Sequence, residues 1–354
     1  MNIQFWNDKR VLITGHTGFK GGWACLALKK FGAQVFGLAL PNEAENSLYK
    51  NANISQTLDK EYFIDITNGA QLASAIVEIQ PDVIIHMAAQ SLVHESYATP
   101  YETYNTNIMG TINLLEAAKQ IDKKCAIVNV TSDKCYENQE WNWPYRESDP
   151  MGGHDPYSCS KGCVELITAS YRKSFFTNSN ILLASARAGN VIGGGDWAQN
   201  RLIPDMVRAH YTEGNLVIRS PNATRPWQFV LEPISGYFSL AEKLYSSGEE
   251  FAKGWNFGPN DSANQTVSWV VKRFADLITS KCDVIFENHE LHEATLLKLD
   301  SSNVKAYLKW EPHLDIEAGL EWTAKWYAEF ERTQQMHAFS LAQIEQYFSL
   351  SKGE

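Results

Sequence analysis

A tyrosine and a lysine four positions apart are the residues of this sequence best suited to moving a proton. Tyr157 and Lys161 lie in the segment 155–161, whose pattern predicts the start of an amphipathic helix. Residues four apart on a helix share one face, and a nearby cation lowers a phenol pKa from its ordinary value of about 10. We therefore expect Tyr157 to act as a base near neutral pH, with Lys161 lowering its pKa. A solvated helix pair without a catalytic role is the alternative.

Ser132, Asp133 and Lys134 form a second polar group, at the end of a strand predicted over 126–132. Oxidation of an alcohol requires no additional acid and base at this place, whereas elimination of water requires both. A surface Asp-Lys pair in a turn is the alternative. It would be preferred if Tyr157 and Lys161 were absent.

A glycine-rich turn near the N-terminus begins the elements that would position these groups. The apolar run 11–13 predicts a buried strand, and the helical pattern after the turn ends at Gly32. Gly15, Gly18 and Gly21 have the spacing GxxGxxG, which permits a tight turn, close approach of a pyrophosphate and close packing of helix on strand. The helix N-terminus offers free N–H groups to phosphates. An ordinary strand-to-helix turn is the alternative, but the flanking strand and helix favour dinucleotide binding.

The rest of the chain predicts an α/β fold, a doubly wound parallel sheet of the Rossmann type with a smaller C-terminal substrate-binding region. Further strands are predicted at 34–40, 62–66, 82–89, 126–132 and 181–187. Their alternation with helical segments indicates βαβ units. The alternation fades after 187. We therefore expect a dinucleotide-binding domain over 1–188 and a mainly substrate-binding region over 189–354, with some segments returning to the main sheet.

The end of the second predicted strand bears on which dinucleotide is bound. Ala39 stands where an acid that holds the adenosine ribose is expected, so this contact is predicted to be missing. No arginine or lysine follows to hold a 2′-phosphate, and Glu43 and Glu45 would repel one. NAD is therefore favoured over NADP.

Composition and charge exclude several classes of protein. The 354 residues are 20% charged and 44% hydrophobic, as in ordinary globular proteins. The formal net charge of −10 disfavours a general nucleic-acid binder. No apolar stretch approaches the roughly 20 residues of a membrane helix, and we expect no signal peptide. The six cysteines contain no CxxC pattern. We expect a cytoplasmic protein without a metal site, and no membrane or nucleic-acid partner.

Together these features resemble the extended short-chain dehydrogenase/reductase superfamily over about residues 8 to 330. The resemblance implies that Tyr157 takes the proton of a sugar hydroxyl while NAD takes the hydride. It also implies that Lys161 binds the nicotinamide ribose and that Ser132 hydrogen-bonds the same hydroxyl.

Within that superfamily the chain resembles the nucleotide-sugar 4,6-dehydratases, which commonly have Asp-Glu where this chain has Asp133-Lys134. Several separated segments are similar to those of members that act on CDP-glucose: 15–23, 131–136, 152–157, 187–197 and 225–233. The resemblance implies that Asp133 is the acid and Lys134 the base of an elimination. It also implies a homodimer or homotetramer, with the helices of Asn107 and Tyr157 available for the interface.

The predicted site is larger than the catalytic residues. For the NAD cofactor we expect contacts from Gly15, His16, Thr17, Gly18, Phe19, Lys20, Gly21, Asp65, Ile66, Ala88, Ala89, Asn107, Tyr157 and Lys161. For the nucleotide-sugar substrate we expect contacts from Gln90, Ser91, Asn190, Arg201, Arg219 and Arg225. The arginines supply planar donors for a diphosphate, which an acidic protein needs locally.

Two other functions stay open at this point. One is a different enzyme on the same fold, either a 4-epimerase or a dehydratase for another nucleotide. The other is a non-catalytic dinucleotide-binding sensor, which would tolerate loss of Tyr157 or Lys161. Both residues are present.

Overall fold

The computed structural model describes residues 1–218, 220–280, 282–286 and 296–350. The strands are β1 (Arg10–Thr14), β2 (Gln34–Ala39), β3 (Lys60–Phe63), β4 (Val83–His86), β5 (Cys125–Val130), β6 (Ile181–Ala188), β7 (Val191–Ile192), β8 (Leu216–Ile218), β9 (Thr224–Pro226), β10 (Gln228–Phe229), β11 (Gly254–Phe257), β12 (Asn264–Thr266) and β13 (Val284–Phe286). The helices are α1 (Phe19–Lys30), α2 (Leu48–Asn51), α3 (Gly69–Ile79), α4 (Val93–Ala98), α5 (Pro100–Tyr104), α6 (Gly110–Ala118), α7 (Pro156–Ser174), α8 (Leu202–Thr212), α9 (Leu231–Ser247), α10 (Val267–Leu277), α11 (Ile316–Thr333) and α12 (His337–Leu350).

A parallel sheet in the order β11-β6-β5-β4-β1-β2-β3 forms the centre of the molecule. The segments predicted as strands form its inner members β1, β2, β4, β5 and β6 and its edge strand β3, and every residue of β5 and β6 is buried. Such strands are mostly apolar because helices cover both faces of a parallel sheet. The strand order reverses between β1 and β4, which is where ligands bind in this kind of sheet. The predicted doubly wound fold is confirmed.

Two apolar layers enclose the sheet. On one face α1, α9 and α12 pack over the larger core, in which Trp23, Trp255 and Trp326 are fully buried. On the other face α3 and α6 pack over a smaller core that includes Ile84 and Leu115. The sheet is therefore anchored on both sides, and the loops at its carboxyl edge remain available for a site.

The second half of the chain adds short strand pairs to this frame. These pairs are β7 with β10, β9 with β12, and β8 with β13. The strand β11 pairs with β6 and so returns the chain to the main sheet. The division into domains at 188/189 stays a prediction. The C-terminal segment forms helix α12, with Ile344 and Phe348 buried against the larger core.

The helical segment that carries Asn107 is interrupted in the structure. A π-helical turn over Asn105–Met109 separates α5 from α6. The wider turn carries Asn107, which is buried. Such turns often occur at functional positions. None of the helices in the described ranges is long and apolar enough to span a membrane.

Candidate active site

A cleft of about 760 Å³ runs along the carboxyl edge of the main sheet. All predicted site residues line it except His16, Asn107 and Arg219, and Arg219 lies outside the described residues. The residues it brings together are Gly15, Thr17, Gly18, Phe19, Lys20, Gly21, Asp65, Ile66, Ala88, Ala89, Gln90, Ser91, Ser132, Asp133, Lys134, Tyr157, Lys161, Asn190, Arg201 and Arg225. Groups from both halves of the chain therefore meet at one place.

The glycine-rich turn forms a backbone cradle at one end of the cleft. Gly15 has a φ of +80°, and a Cβ there would lie 2.9 Å from the amide nitrogen of Ala88. A Cβ on Gly21 would lie 2.0 Å from the Gly15 carbonyl oxygen. Gly18 is the N-cap of α1 and offers no side-chain cap. The first N–H groups of α1 thus face the cleft edge without a side chain in between, which fits a bound pyrophosphate.

Tyr157 and Lys161 enter the cleft from the first turns of α7. This helix starts at Pro156 because the Asp155 carboxylate accepts a hydrogen bond from the Ser158 amide at 2.9 Å. Both side chains are buried, and Lys161 Nζ lies 6.0 Å from the centroid of the Tyr157 ring. Lys161 Nζ also donates to the carbonyl oxygen of Val130 at 3.4 Å. Tyr157 and Lys161 therefore share one face of α7, as predicted.

The predicted lowering of the Tyr157 pKa is wrong for this structure. Burial raises the pKa of Tyr157 to about 12, although hydrogen bonding with Ser132 opposes the rise. Burial also lowers the pKa of Lys161 to about 8, against the opposing charge of Glu165. The spacing of the pair is a local property, but the cost of placing the phenolate in the interior dominates its pKa.

Asp133 and Lys134 occupy a single 3₁₀ turn, Asp133–Cys135, at the end of β5. Ser132 Oγ donates to Asp133 Oδ1 at 3.0 Å and accepts the Lys134 amide at 3.2 Å. The second oxygen of Asp133, Oδ2, is buried and makes no hydrogen bond to any described residue. Burial raises the pKa of Asp133, against the opposing charge of Lys134. The carboxyl group is therefore suited to hold a proton beside the cleft.

Cations gather on the wall of the cleft near α8. Arg201 contacts Asp196 Oδ2 through Nη1 at 3.1 Å and Ser91 Oγ through Nη2 at 2.9 Å. Burial, together with the charges of Arg201 and Lys161, lowers the pKa of Lys20 to about 8. Arg225 is buried nearby and lines the same cleft. This local positive field in an acidic protein suits a polyanion such as a diphosphate.

His16 and Asn107 do not line the cleft, and their predicted contacts with the cofactor stay predictions. The His16 ring is buried against Gly37, where β2 has no side chain, and its Nε2 bonds Glu61 Oε2 at 3.2 Å. Its side chain is thus turned away from the cleft. Asn107 is also buried; its Oδ1 accepts the Gln90 amide at 2.8 Å and its Nδ2 donates to Ser160 Oγ at 2.8 Å. Asn107 therefore positions the Gln90 loop against α7.

Two groups at the site were missed in the sequence. Thr14 Oγ1 accepts the amides of Met87 and Ala88 at 3.0 and 3.1 Å, which joins the ends of β1 and β4. Glu165, buried beneath Lys161, continues the row of α7 residues spaced by four. The same spacing that identified Tyr157 and Lys161 could have identified Glu165. Nothing in the sequence pattern distinguishes Thr14 from an ordinary strand residue.

Comparison with known proteins places the chain among enzymes of nucleotide-sugar metabolism. A protein-family model described as GDP-mannose 4,6 dehydratase matches residues 12–323. A curated CDP-glucose 4,6-dehydratase of Salmonella typhimurium is 46% identical over 352 residues, which cover 98% of each chain. A dTDP-glucose 4,6-dehydratase of Xanthomonas campestris is 25% identical, covering 89% of this chain and 92% of the other.

The fold is shared with solved structures. A dTDP-glucose 4,6-dehydratase from Bacillus anthracis in complex with NAD aligns with a TM-score of 0.75 and 24% identity, covering 91% of this chain and 97% of that one. An epimerase from Methanothermobacter thermautotrophicus aligns with a TM-score of 0.81 and 22% identity, covering 94% and 96%. Because the family model matches residues 12–323, which are most of the chain, the chain belongs to the GDP-mannose 4,6 dehydratase family.

Proposed function

We propose that this protein is an NAD-dependent hydro-lyase that converts CDP-glucose to CDP-4-keto-6-deoxyglucose and water, a reaction of deoxysugar biosynthesis. The observation that carries the proposal is the second acid–base pair: Asp133 and Lys134 line the same cleft as Tyr157 and Lys161. Near-full-length similarity to a CDP-glucose 4,6-dehydratase supports the choice of substrate.

The cofactor fits the cradle described above. Gly15, Gly18 and Gly21 leave room for a pyrophosphate, and Ile66 and Ala88 line the adjoining part of the cleft. When bound, NAD supplies the hydride acceptor for C4 and the hydride donor for C6 of the sugar. The neighbourhood of Ala39 offers no arginine or lysine in sequence for a 2′-phosphate, which favours NAD.

The first half of the reaction uses the α7 pair. Tyr157 takes the proton of the C4 hydroxyl as the hydride leaves C4, so that the carbinol becomes a ketone. Ser132 orients that hydroxyl, and Lys161 supplies a cation beside the phenolate. Burial raises the Tyr157 pKa, and the Ser132 hydrogen bond and the Arg201 charge oppose that rise. The cationic wall thus assists the base.

The second half uses the turn after β5. The new ketone acidifies the C5 proton, which the Lys134 amine takes. Asp133 gives its proton to the C6 hydroxyl, which leaves as water. Hydride then enters C6, and Lys134 returns a proton to C5. A proton passes from Tyr157 to Asp133 through solvent to restore the starting state, so the net change is loss of one water.

The nucleotide specificity is tested by comparing CDP-, dTDP-, UDP- and GDP-glucose as substrates, with mass spectrometry of the products. Cytosine differs from uracil by an amino donor and a ring-nitrogen acceptor. A site paired with these groups loses about 1–3 kcal/mol for each bond left unmade, or roughly tenfold or more in kcat/KM. We expect CDP-glucose to lose one water with the highest efficiency. Equal or better efficiency with dTDP-glucose would refute the CDP assignment but leave the dehydratase reaction standing.

A 4-epimerase is the principal alternative on this fold, because the solved structures that share it include epimerases. An epimerase returns the hydride to C4 and requires no elimination. The buried, raised-pKa carboxyl of Asp133 beside Lys134 therefore favours a dehydratase. A non-catalytic sensor is disfavoured because the Tyr157–Lys161 pair is intact and faces the cleft.

We also propose a homo-oligomer built on the exposed side of α5, of the π-helical turn that follows it and of α7. Large apolar side chains are exposed there: Tyr101 is 75% exposed, Met109 45% and Leu166 60%. A second copy of the chain could cover these residues by helix packing, giving a homodimer or homotetramer. The six cysteines are free, which suits a cytoplasmic enzyme.

A further inference from the structure

A buried ion pair lies behind the catalytic helix, outside the cleft. Arg187 Nη2 on β6 and Glu165 Oε2 on α7 are 2.8 Å apart, and their side chains are only 6% and 4% exposed. Neither residue lines the cleft. A buried ion pair has a high desolvation cost and is therefore weak evidence of stability by itself. Its position suggests another role.

Glu165 links α7 to the end of β5 and to β6 by hydrogen bonds. Thr131 Oγ1 donates to Glu165 Oε1 at 2.5 Å, and Ser185 Oγ donates to Glu165 Oε2 at 2.7 Å. Thr131 directly precedes Ser132 and Asp133 at the end of β5. One carboxylate therefore connects the helix of the α7 pair to the turn of the elimination pair.

The surroundings of Arg187 keep this carboxylate in place. Arg187 Nη1 donates to the Tyr136 hydroxyl at 2.6 Å, and that hydroxyl donates to Asn256 Oδ1 at 2.7 Å. A Cβ on Gly254 would lie 2.4 Å from Arg187 Nη2, so β11 leaves space for the guanidinium only because it has glycine there. The pair is enclosed by three neighbouring parts of the fold.

Glu165 is also the anion that acts on Lys161. Burial lowers the pKa of Lys161, while the charge of Glu165 raises it and an ionised Cys135 would do the same. Burial raises the pKa of the Cys135 thiol and keeps it neutral. From α1, Lys20 is a like charge, and from β4, His86 is held neutral by burial, which lowers its pKa to about 3. Glu165 therefore opposes the desolvation of the Lys161 cation.

We propose that Glu165 is a positioning residue: it clamps the helix of Tyr157 and Lys161 to the strand end that carries Ser132 and Asp133, and its charge keeps Lys161 a cation. The proposal rests on the proposed function, since it assigns a task within that reaction. Glu165 does not line the cleft. It acts through Lys161 and Thr131.

The charge is tested by competitive acetylation of the full-length protein with acetic anhydride across pH, with the Lys161 peptide quantified by mass spectrometry. The pH midpoint of acetylation reports the Lys161 pKa without any need for turnover. In Glu165→Gln we expect this midpoint, and the alkaline limb of the kcat profile with CDP-glucose, to move down by about one pH unit. Glu165→Asp keeps the charge, and there we expect both to stay near wild type.

The clamp is tested separately with Thr131→Val, which removes one bond but no charge. We expect kcat to fall about tenfold, because small displacements of reacting groups are costly, with the acetylation midpoint unchanged. Thr168→Val is the matched control: Thr168 is buried on the same helix and accepts a bond from Asn129 Nδ2 at 2.8 Å, one turn farther from the cleft. It should lower thermal stability and leave kcat and both pH midpoints unchanged.

Two results would overturn the proposal. One is an acetylation midpoint in Glu165→Gln equal to that of Thr168→Val, with lower thermal stability as the only change. If Glu165→Gln does not fold, the other result is decisive. It combines a Thr131→Val enzyme that has wild-type kcat with a Glu165→Asp enzyme whose Lys161 acetylation midpoint moves down although the negative charge is kept. Absence of turnover in the wild-type protein would instead count against the proposed function, and the acetylation midpoints would still be measurable.

Discussion

The two acid–base pairs of the cleft are supported in different ways. Tyr157 and Lys161 lie on α7, a helix of 19 residues with a side-chain cap. Asp133 and Lys134 lie in a 3₁₀ turn of three residues, where Asp133 Oδ2 has no hydrogen bond among the described residues. The first pair is thus part of the packed frame. The second is a local addition at one strand end.

This difference implies that the two halves of the reaction are separable. The fold on which Tyr157 and Lys161 lie is shared with an epimerase of solved structure. Elimination depends on side chains of a three-residue turn outside α7, so changes to those side chains should stop one half of the reaction and leave the other. Changes in the α7 pair should stop both.

The largest effect is expected from Tyr157→Phe, which removes the base needed before any elimination. General acid–base catalysis contributes about 10²–10⁴-fold, so we expect a loss of that order in product formation, with no NADH formed on the enzyme. Tyr307→Phe, at an exposed tyrosine, is the control and should be active. Substantial NADH formation by Tyr157→Phe would show that another group takes the C4 proton.

A loss confined to the second half is expected from Lys134→Met. Without the amine, the C5 proton stays and dehydration should fall by about 10²-fold or more, while C4 oxidation continues. Absorbance at 340 nm should then reveal bound NADH that the wild-type enzyme does not accumulate. Lys119→Met, which removes an exposed ion pair with Glu116, serves as the control. Near-normal dehydration by Lys134→Met would remove this residue from the mechanism.

A smaller effect is expected at the opposite end of the cleft, from Ala39→Asp. Ala39 ends β2 and lines the cleft, so a carboxylate there could accept bonds from the adenosine ribose. Hydrogen bonds to charged groups contribute about 1.5–3 kcal/mol, which predicts NAD binding at least roughly tenfold tighter. Isothermal titration of NAD into both proteins measures the change. Unchanged affinity would show that the wild-type ribose contact is not missing.

The parts of the fold that the sequence predicted are those with a local signal. Buried parallel strands are apolar runs, and the strands β1 to β6 lie within a few residues of their predicted bounds. β11 was not predicted as a strand of the main sheet. Its Asn256 is a buried polar residue whose side chain is satisfied by the Tyr136 hydroxyl and by the carbonyl oxygens of Tyr145 and Asp300, all distant in the sequence.

The prediction of the site was also limited to features that have a local signal in the sequence. The Tyr157–Lys161 spacing is local and was predictable, but the direction of the Tyr157 pKa shift was not, because burial is a tertiary property. The position of the His16 ring could not be predicted for a similar reason. Its ring fills the space above Gly37, a residue of the neighbouring strand, and no pattern within the glycine-rich turn reports that contact.

The path of the hydride tests the central claim most directly, namely that one cleft carries out oxidation, elimination and reduction in turn. CDP-glucose labelled with deuterium at C4 is converted by the wild-type enzyme with NAD present, and the product is analysed by NMR and mass spectrometry. The account predicts that deuterium leaves C4 and is retained at C6 of a 4-keto-6-deoxy sugar, with no accumulation of reduced cofactor. Deuterium that remains at C4 of an intact sugar, or that accumulates in free reduced cofactor, would contradict it.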